Sequence, residues 1–319
     1  MKSGALERYR IDPLAEGVPF GATVSGLRLA HLEHPTVRKA LFDLWIDKGV
    51  LLFRDGDHTS EMQIELSKCF GVIARQVFKE TWLEGNPDLV KVKYYPDDGS
   101  CYDVDGVRLG GYLAWHKDRI YTDSLNRGGI LRPIQLSEHG GETGYLDQIS
   151  AYDRLPEDLK ASIDGLHVVY AMDLNFENHK YLRPDNIRYV RGAKSFLSIS
   201  AREYQYPRVL HPMVYTQAET GRKVLNVSPS FATGIYEIGG PEGDALLREV
   251  LAHCTAAGNT YFHAWRPDDM VLWDNWRTLH SSTGVPEQET RVMQRTTISG
   301  DYNLGRNLEG GEGLPKFDV

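Results

Sequence analysis

The chain has 319 residues, three Cys, and 36 Lys and Arg against 44 Asp and Glu, which gives a formal net charge of -8. Its apolar share of 41% and charged share of 25% are those of a globular protein, and they exclude a chain that is disordered, collagenous or coiled-coil throughout. The acidic balance predicts no nucleic-acid partner. No apolar run approaches the ~18 residues of a membrane span, and the acidic N-terminus is unlike a signal peptide, so no membrane partner and a cytoplasmic location are expected.

The opening part of the chain predicts a mixture of α and β elements. In chain order these are a strand at 20–29, a helix at 36–48, a strand at 50–53 and a helix at 60–70. Thr36 is the expected N-cap of the first helix, and Gly49 is expected to end it.

Beyond about residue 128 the pattern changes to short strand-like runs separated by turn residues. These runs lie at 130–136, 167–171, 209–215, 224–227, 259–265, 270–273 and 292–298, and two helices are expected at 150–163 and 242–256. So many short strands favour a sandwich or jelly roll over alternating strand–helix units. The sequence therefore predicts one domain over 1–319, mainly β with flanking helices. Its polar stretch at about 175–207 is interpreted as a lid or binding loop, or as a solvated insertion without a role.

Histidine and carboxylate residues form one pattern that suits a metal. The triplet His116-Lys117-Asp118 places two ligand types two residues apart, and His280 follows a Trp-Asp-Asn segment far downstream. Two His and one carboxylate suit a facial triad, which holds Fe(II) on one face and leaves the opposite positions open for O₂ and a co-substrate. A similar triplet at 31–33 is interpreted as a polar turn, and His280 alone is equally consistent with a structural histidine.

The strand after His280 carries two arginines with the same facing. Because side chains alternate along a strand, Arg291, Met293 and Arg295 share one face, with the two arginines ~13 Å apart. If that face points inward, two buried arginines need anionic partners, and a dicarboxylate ligand would supply them. If it points outward, both are simply solvated. The alternation alone leaves both orientations open.

Taken together, these residues resemble the taurine/2,4-dichlorophenoxyacetate dioxygenase (TauD/TfdA) family of Fe(II)/2-oxoglutarate-dependent oxygenases. The ordered matches are Phe-Gly-Ala-Thr-Val-Ser-Gly at 20–26, Trp-His-Lys-Asp at 115–118, Gly-Gly-Glu-Thr at 140–143, Leu-His-Pro-Met-Val at 210–214, Trp-Asp-Asn at 273–275, and the His-x₁₀-Arg-x₃-Arg spacing that begins at 280. Each match is weak by itself, but the ordered set covers most of the chain.

The resemblance implies a double-stranded β-helix core and a metal site. His116, Asp118 and His280 would be the iron ligands, with Fe(II) as cofactor and 2-oxoglutarate and O₂ as co-substrates. The implied reaction oxidises a C–H bond of a small organic substrate and converts 2-oxoglutarate to succinate and CO₂. Related halogenases lack the carboxylate, so Asp118 favours hydroxylation or a similar oxidation.

The resemblance also implies how the two acids would be held. Thr143 and Arg291 would bind the distal carboxylate of 2-oxoglutarate. Arg295 would contact an anionic group of the substrate or the proximal carboxylate of 2-oxoglutarate. Homo-oligomers are frequent in the family, so a homo-oligomer is expected here as well.

Four further residues are candidates for substrate contact. Gln76 stands near the place where taurine-oxidising relatives have a His, which disfavours taurine. Arg119 adds a charge directly after the metal triplet. Tyr112 and Phe176 would form part of an aromatic wall, although core packing or a surface position is the favoured explanation of each ring. Surplus arginine beside aromatic rings suggests a larger anion, such as an aromatic or terpenoid carboxylate.

Two alternatives remain from the residues. One is a jelly-roll metalloenzyme of isomerase or hydrolase type that uses Zn²⁺ or Mn²⁺ on the same triad without 2-oxoglutarate. The other is a binding protein that kept the fold without the catalysis. Thr143, Arg291 and Arg295 argue against the first, because a hydrolase has no use for a dedicated dicarboxylate site.

Overall fold

Strands dominate the part of the chain that the computed structural model describes, namely residues 9–75, 82–83, 85–182, 187–194, 206–256, 258 and 260–308. The strands are β1 (Arg10–Pro13), β2 (Ala22–Ser25), β3 (Val50–Arg54), β4 (Trp82–Leu83), β5 (Asn86–Tyr94), β6 (Cys101–Val104), β7 (Val107–Gly110), β8 (Leu113–His116), β9 (Gly128–Gln135), β10 (Thr143–Asp147), β11 (His167–Tyr170), β12 (Ile187–Arg191), β13 (Val209–Pro212), β14 (Val214–Thr216), β15 (Lys223–Leu225), β16 (Ala232–Ile235), β17 (Thr260–His263), β18 (Met270–Asp274), β19 (Thr278–Ser282), β20 (Val285–Pro286), β21 (Arg291–Ile298) and β22 (Arg306–Asn307). The helices are α1 (Pro35–Lys48), α2 (Ser60–Ser67), α3 (Gln148–Asp153), α4 (Glu157–Ile163) and α5 (Gly240–Cys254), with 3₁₀ turns at Leu29–Glu33 and Phe176–Asn178.

Two sheets face each other and enclose the centre of the molecule. The larger has eight strands in the order β1-β2-β3-β18-β9-β21-β5-β4, and the smaller has four in the order β17-β10-β19-β8. An apolar cluster fills the space between them, where Tyr145 of the smaller sheet meets Leu52, Val271 and Met293 of the larger one. The structure therefore confirms the predicted jelly-roll core.

Both sheets also carry a second apolar layer on their outer faces. Helices α1 and α2 cover the eight-stranded sheet, and the side chains of Trp45 and Leu66 are fully buried there. Helices α3, α4 and α5 and the sheet β16-β11-β13-β22 cover the four-stranded sheet. The site between the sheets is thus braced from behind on both sides.

Two boundary predictions in the helices were wrong. The first helix begins at Pro35 with His34 as N-cap, not at Thr36, because proline fits the first helical position. Its predicted end is confirmed, since Gly49 takes a φ of 77°. The single helix predicted at 150–163 is two helices, α3 and α4, because Pro156 disfavours a helical conformation for the residue before it.

Strands β4 to β8, which occupy much of 82–116, were not predicted from the sequence. One available signal was the Asp105–Gly106 pair between β6 and β7. Both residues have a positive φ, 54° and 83°, which is the geometry of a tight two-residue hairpin turn. This omission mattered because β8 carries part of the candidate site.

The stretch 175–207 is only partly irregular. A 3₁₀ turn covers Phe176–Asn178, and β12 pairs with β6, while 183–186 and 195–205 lie outside the described residues. A lid or binding role for this stretch stays a prediction, as does the division of the chain into one domain. Among the described residues, no helix is both long and apolar enough to cross a membrane.

Candidate active site

Strand pairing in the four-stranded sheet brings the three predicted metal ligands together. His116 ends β8, and His280 lies directly opposite on β19, with 4.1 Å between the ring centroids. The Asp118 Oδ1 atom lies 3.9 Å from His116 Nε2 and 3.6 Å from His280 Nε2. One ligand atom from each of the three residues falls within 4.8 Å of the others.

Neighbouring groups fix the orientation of each ligand. His116 Nδ1 donates to the Ala114 carbonyl at 2.8 Å, so the lone pair of Nε2 points toward the site. The His280 ring packs against Trp273, with ring centroids 5.1 Å apart. Asn275 holds the Asp118 backbone from both sides: its Oδ1 accepts from the Asp118 amide at 2.9 Å and its Nδ2 donates to the Asp118 carbonyl at 3.0 Å.

Electrostatics set the protonation states that a metal needs. Burial lowers the pKa of His116 to about 3, and the neighbouring His280 adds to the effect, so the imidazole is neutral. Burial alone would raise the pKa of Asp118, but the charge of Arg295 and the two imidazoles outweigh it and hold that pKa well below its usual value. A neutral His116 and an ionised Asp118 are the forms in which these two residues can donate a lone pair to a cation.

This donor set fits a divalent ion such as Fe(II). Ligands at right angles around an ion with bonds of ~2.1 Å are about 3 Å apart, so shifts of less than about 1 Å would close the site. His116 and His280 lie on adjacent strands, and Asp118 lies on the segment that follows β8. Strand β21 of the eight-stranded sheet comes close to this set, since Arg295 contacts Asp118.

Arg291 lies across the site from Thr143. The Arg291 side chain is buried, and its Nη2 donates to Thr143 Oγ1 at 3.2 Å, while Trp265 Nε1 donates to the same oxygen at 3.0 Å. Burial lowers the pKa of Arg291 to about 10, and among the described residues no carboxylate forms an ion pair with it. A buried cation without a counter-charge is costly, so this pocket fits the carboxylate of a ligand.

Gly141 provides the space that Arg291 occupies. Its φ is 76°, and a Cβ atom at this position would lie 3.1 Å from Arg291 Cδ and 3.2 Å from Arg291 Nε. Glycine is therefore required at this position for two reasons: the left-handed backbone conformation and the close approach of Arg291. The Gly-Gly-Glu-Thr match thus has a physical explanation in this chain.

Arg295 lies beside the metal ligands. Its Nη2 donates to Asp118 Oδ2 at 2.6 Å, and its guanidinium carbon lies 5.0 Å from the centroid of the Trp273 ring. The Asp118 oxygen that Arg295 occupies is not the one nearest the imidazoles, so both contacts can coexist. Arg291 and Arg295 thus point inward, which resolves the orientation that alternation left open.

The predicted substrate residues are spread over several places. Gln76 lies outside the described residues. Tyr112 and Phe176 contact the same ring, Tyr102, with centroid distances of 6.3 and 5.6 Å, and no ring contact joins them to the triad within the described residues. Arg119 follows the triad with a φ of 59°, a strained conformation of the kind that concentrates at functional sites.

A second aromatic group was not predicted from the sequence. It consists of Tyr121, Tyr206 and Phe231. The Tyr121 ring lies 5.6 Å from Tyr206 and 4.9 Å from Phe231. Burial raises the pKa of the Tyr121 phenol to about 12, with a further rise from Tyr206 that Arg119 opposes. Asp118 and Arg295 also act on this phenol, so it lies within electrostatic range of the site. Its position three residues after Asp118 was the one available signal.

Comparison with known proteins gives a consistent result. A family model described as "Taurine catabolism dioxygenase TauD, TfdA family" matches residues 10–297. An (S)-phenoxypropionate/alpha-ketoglutarate-dioxygenase of Sphingobium herbicidovorans is 29% identical over 92% of this chain and 96% of its own length. An alpha-ketoglutarate-dependent 2,4-dichlorophenoxyacetate dioxygenase of a Burkholderia species is 30% identical over 79% and 82%.

A solved structure agrees with these relatives. The crystal structure of AAD-2 in complex with Mn(II) and N-oxalylglycine has a TM-score of 0.68 and 25% identity, covering 93% of this chain and 99% of that one. The relatives favour the dioxygenase interpretation over the isomerase or hydrolase alternative. The family uses Fe(II), 2-oxoglutarate and O₂. The chain belongs to the TauD/TfdA family of alpha-ketoglutarate-dependent dioxygenases.

Proposed function

We propose that this chain oxidises a C–H bond of a small organic anion, with the iron held by His116, Asp118 and His280. One observation carries the proposal: a His, Asp, His set lies beside β21, whose Arg295 contacts Asp118 and whose Arg291 is buried against Thr143. Bound iron would supply the activation of O₂ and the oxidative decarboxylation of 2-oxoglutarate to succinate and CO₂.

The protein's own part is to place two acids beside that centre. Arg291 and Thr143 would bind the distal carboxylate of 2-oxoglutarate, because the planar guanidinium matches a carboxylate with two parallel hydrogen bonds. The carboxylate would also supply the counter-charge that buried Arg291 lacks among the described residues. Exclusion of water from this pocket would strengthen both contacts.

Arg295 and the aromatic group would select the substrate. Arg295 keeps its Nε buried and without a hydrogen-bond partner in the described part of the chain, so one donor of this cation is left for a second acid. The relatives are named for phenoxypropionate and 2,4-dichlorophenoxyacetate. In both compounds an ether oxygen joins an aromatic ring to the carbon chain that bears the carboxylate. Tyr121 and Phe231 offer ring surfaces beside this charge. Placement of the reacting C–H bond would decide the position oxidised.

The first test is anaerobic spectroscopy. Apoprotein receives Fe(II) and then 2-oxoglutarate, and the visible metal-to-ligand charge-transfer band is titrated. We expect a saturable band whose 2-oxoglutarate midpoint rises on the order of 100-fold in Arg291→Ala. Arg132→Ala is the matched control, because Arg132 lies on the neighbouring strand but bonds Ser60 and Gln63 on the outer face. Bound iron without a band would reject 2-oxoglutarate chelation.

The second test addresses the anionic substrate. Candidate carboxylic acids and their methyl esters are compared by succinate release under identical conditions. We expect the acid to be preferred by at least about tenfold, since a neutral ester loses the charge-assisted hydrogen bonds to Arg295. Arg295→Gln should reduce that preference. Equal turnover of acid and ester in the unmodified protein would contradict the proposed substrate class.

A further inference from the structure

The backbone that carries Asp118 is held at both ends by one buried hydrogen-bond chain. This segment, 117–122, follows directly from His116 at the end of β8. Its first side chain, Lys117, and its last carbonyl, that of Thr122, are both buried and both bond to the same group of residues. Neither end has a role in the reaction as proposed.

Lys117 points away from the ligands on either side of it. Its side chain is fully buried, and its Nζ donates to Asn226 Oδ1 at 2.6 Å and to the Trp276 carbonyl at 2.9 Å. A buried lysine is rare unless paired, and among the described residues neither contact is to a carboxylate. Leucine or methionine would fill this space at lower cost, so the polar contacts call for a reason.

The chain continues from Asn226 to the other end of the segment. Asn226 Nδ2 donates to the Tyr302 hydroxyl at 3.2 Å, and that hydroxyl lies 2.9 Å from His211 Nδ1. His211 Nε2 lies 2.9 Å from the Thr122 carbonyl. A carbonyl only accepts, so Nε2 must carry the proton, and Nδ1 of the neutral ring must accept from Tyr302. The hydrogen-bond directions along the chain from Asn226 to Thr122 are therefore mutually consistent.

We propose that Lys117, Asn226, Tyr302 and His211 form a loop clamp that positions Asp118 for the metal. The clamp fixes the two ends of 117–122, while Asn275 fixes the Asp118 backbone between them. The side chain of Asp118 is then aimed at the two imidazoles before an ion arrives. These four are positioning residues, since none of them belongs to the triad. The inference rests on the proposed triad.

The contribution of such support to metal affinity has a typical magnitude. Loss of an outer partner that orients a metal ligand usually weakens metal binding about 10- to 100-fold. For Lys117, the direction of the change in metal affinity distinguishes two possible roles. If it acted only through its positive charge, replacing it with a neutral residue would strengthen the binding of a divalent cation. A positioning role requires the opposite, namely weaker binding in Lys117→Met.

The experiment measures binding of Mn(II) alone, by the loss of its free-ion EPR signal. The variants are Lys117→Met and Tyr302→Phe, which remove polar atoms without a large change in volume. We expect a rise in Kd of about 10-fold or more in each, and a broadened bound-ion signal. Thermal unfolding is recorded for each variant, and Gln63→Leu, which breaks a buried polar contact behind the other sheet, is the stability control.

The outcomes separate this inference from the proposed function. Unmodified protein that binds Mn(II), and His280→Ala that does not, would support the triad. If the triad is supported but Lys117→Met and Tyr302→Phe bind Mn(II) as tightly as the parent or more tightly, the loop clamp is wrong and the proposed function stands. If the unmodified protein binds no Mn(II), both fail. Should one variant not fold, the other decides.

Discussion

The four-stranded sheet and strand β21 of the eight-stranded sheet face the same site but contribute opposite chemistry. The smaller sheet and the segment after it provide His116, His280 and Asp118. Hydrogen bonds hold His116 and Asp118, while His280 packs against Trp273 and its Nδ1 has no hydrogen-bond partner among the described residues. Strand β21 provides Arg291 and Arg295, whose buried Nε atoms have no hydrogen-bond partner within the described residues. The difference teaches that the protein's own hydrogen bonds orient two of the three metal ligands, whereas both arginines of the acid-binding side keep donors for a ligand.

Removal of a metal ligand should produce the largest effect. In His280→Ala, one of the two imidazoles is lost, and we expect bound iron to disappear and succinate release to fall on the order of 10⁴-fold. Bound iron is measured as iron content after anaerobic loading, and succinate release is measured by a coupled assay. His167→Ala, at a half-buried histidine paired with Glu237, should leave both unchanged. Substantial turnover in His280→Ala would remove the metal assignment.

The link between the two sheets should give the next largest effect, on stability. Arg277, in the turn between β18 and β19, is buried; its Nη2 lies 2.8 Å from Asp147 Oδ1, and its Nη1 donates to the Ile46 carbonyl at 2.9 Å. Arg277→Ala leaves the Asp147 carboxylate buried and unpaired, so the free energy of unfolding should fall by about 3–5 kcal/mol. Denaturant unfolding measures this fall. The exposed pair of Arg10 and Asp12 provides the control, and Arg10→Ala should show no measurable change.

A smaller effect is expected at the glycine beside Arg291. The Cβ added in Gly141→Ala would lie 2.9 Å from Ser137 Oγ and 3.1 Å from Arg291 Cδ, and we expect the Kd for 2-oxoglutarate to rise about tenfold while iron binding is kept. Gly221→Ala is the control, since its φ of 73° is similar but no atom lies within 4 Å of the added Cβ. Equal effects of the two substitutions on 2-oxoglutarate binding would show that contact with Arg291 is not the cause.

The smallest effect is expected behind β21. Ser67 on α2 is buried, and its Oγ lies 2.7 Å from Thr296 Oγ1 on the outer face of the strand. Ser67→Ala removes this contact and the hydrogen bond that Oγ donates to the Gln63 carbonyl at 2.7 Å, so the free energy of unfolding should fall by about 1 kcal/mol, at about 0.5 kcal/mol for each bond. The Kd for 2-oxoglutarate should not change, because Arg291 and Arg295 lie on the opposite face. A shift in that Kd would show that the outer face does influence the arginines.

Sequence reasoning found the groups that local patterns mark. The triplet at 116–118 and the alternation of Arg291 with Arg295 are short-range features, and the structure brings Arg295 into contact with Asp118 of the triplet. The jelly-roll class was also predictable, because many short strands follow one another after residue 128. Family resemblance joined these separate signals into one site.

Groups assembled by long-range pairing escaped sequence reasoning. In the sequence, Lys117 is only the residue between two predicted ligands. Nothing local indicates that it bonds Asn226 or that Asn226 in turn bonds Tyr302. Phe231 likewise joins Tyr121 only through the fold. Strands β5 to β8 pair partly with distant segments, so their pattern was weak. The terminal stretch from 309 and the residues around Gln76 lie outside the described chain.

The position of β8 has a consequence for the mechanics of the protein. This strand lies at the end of its sheet and pairs only with β19 among the described strands, yet it carries His116 and leads directly to Asp118. An ion bound there would join an edge strand to an inner strand far away in sequence, in the manner of a cross-link that closes a long loop. Metal binding would then also make this edge strand more resistant to fraying, so that bound iron would stabilise the edge of the sheet as well as support the reaction.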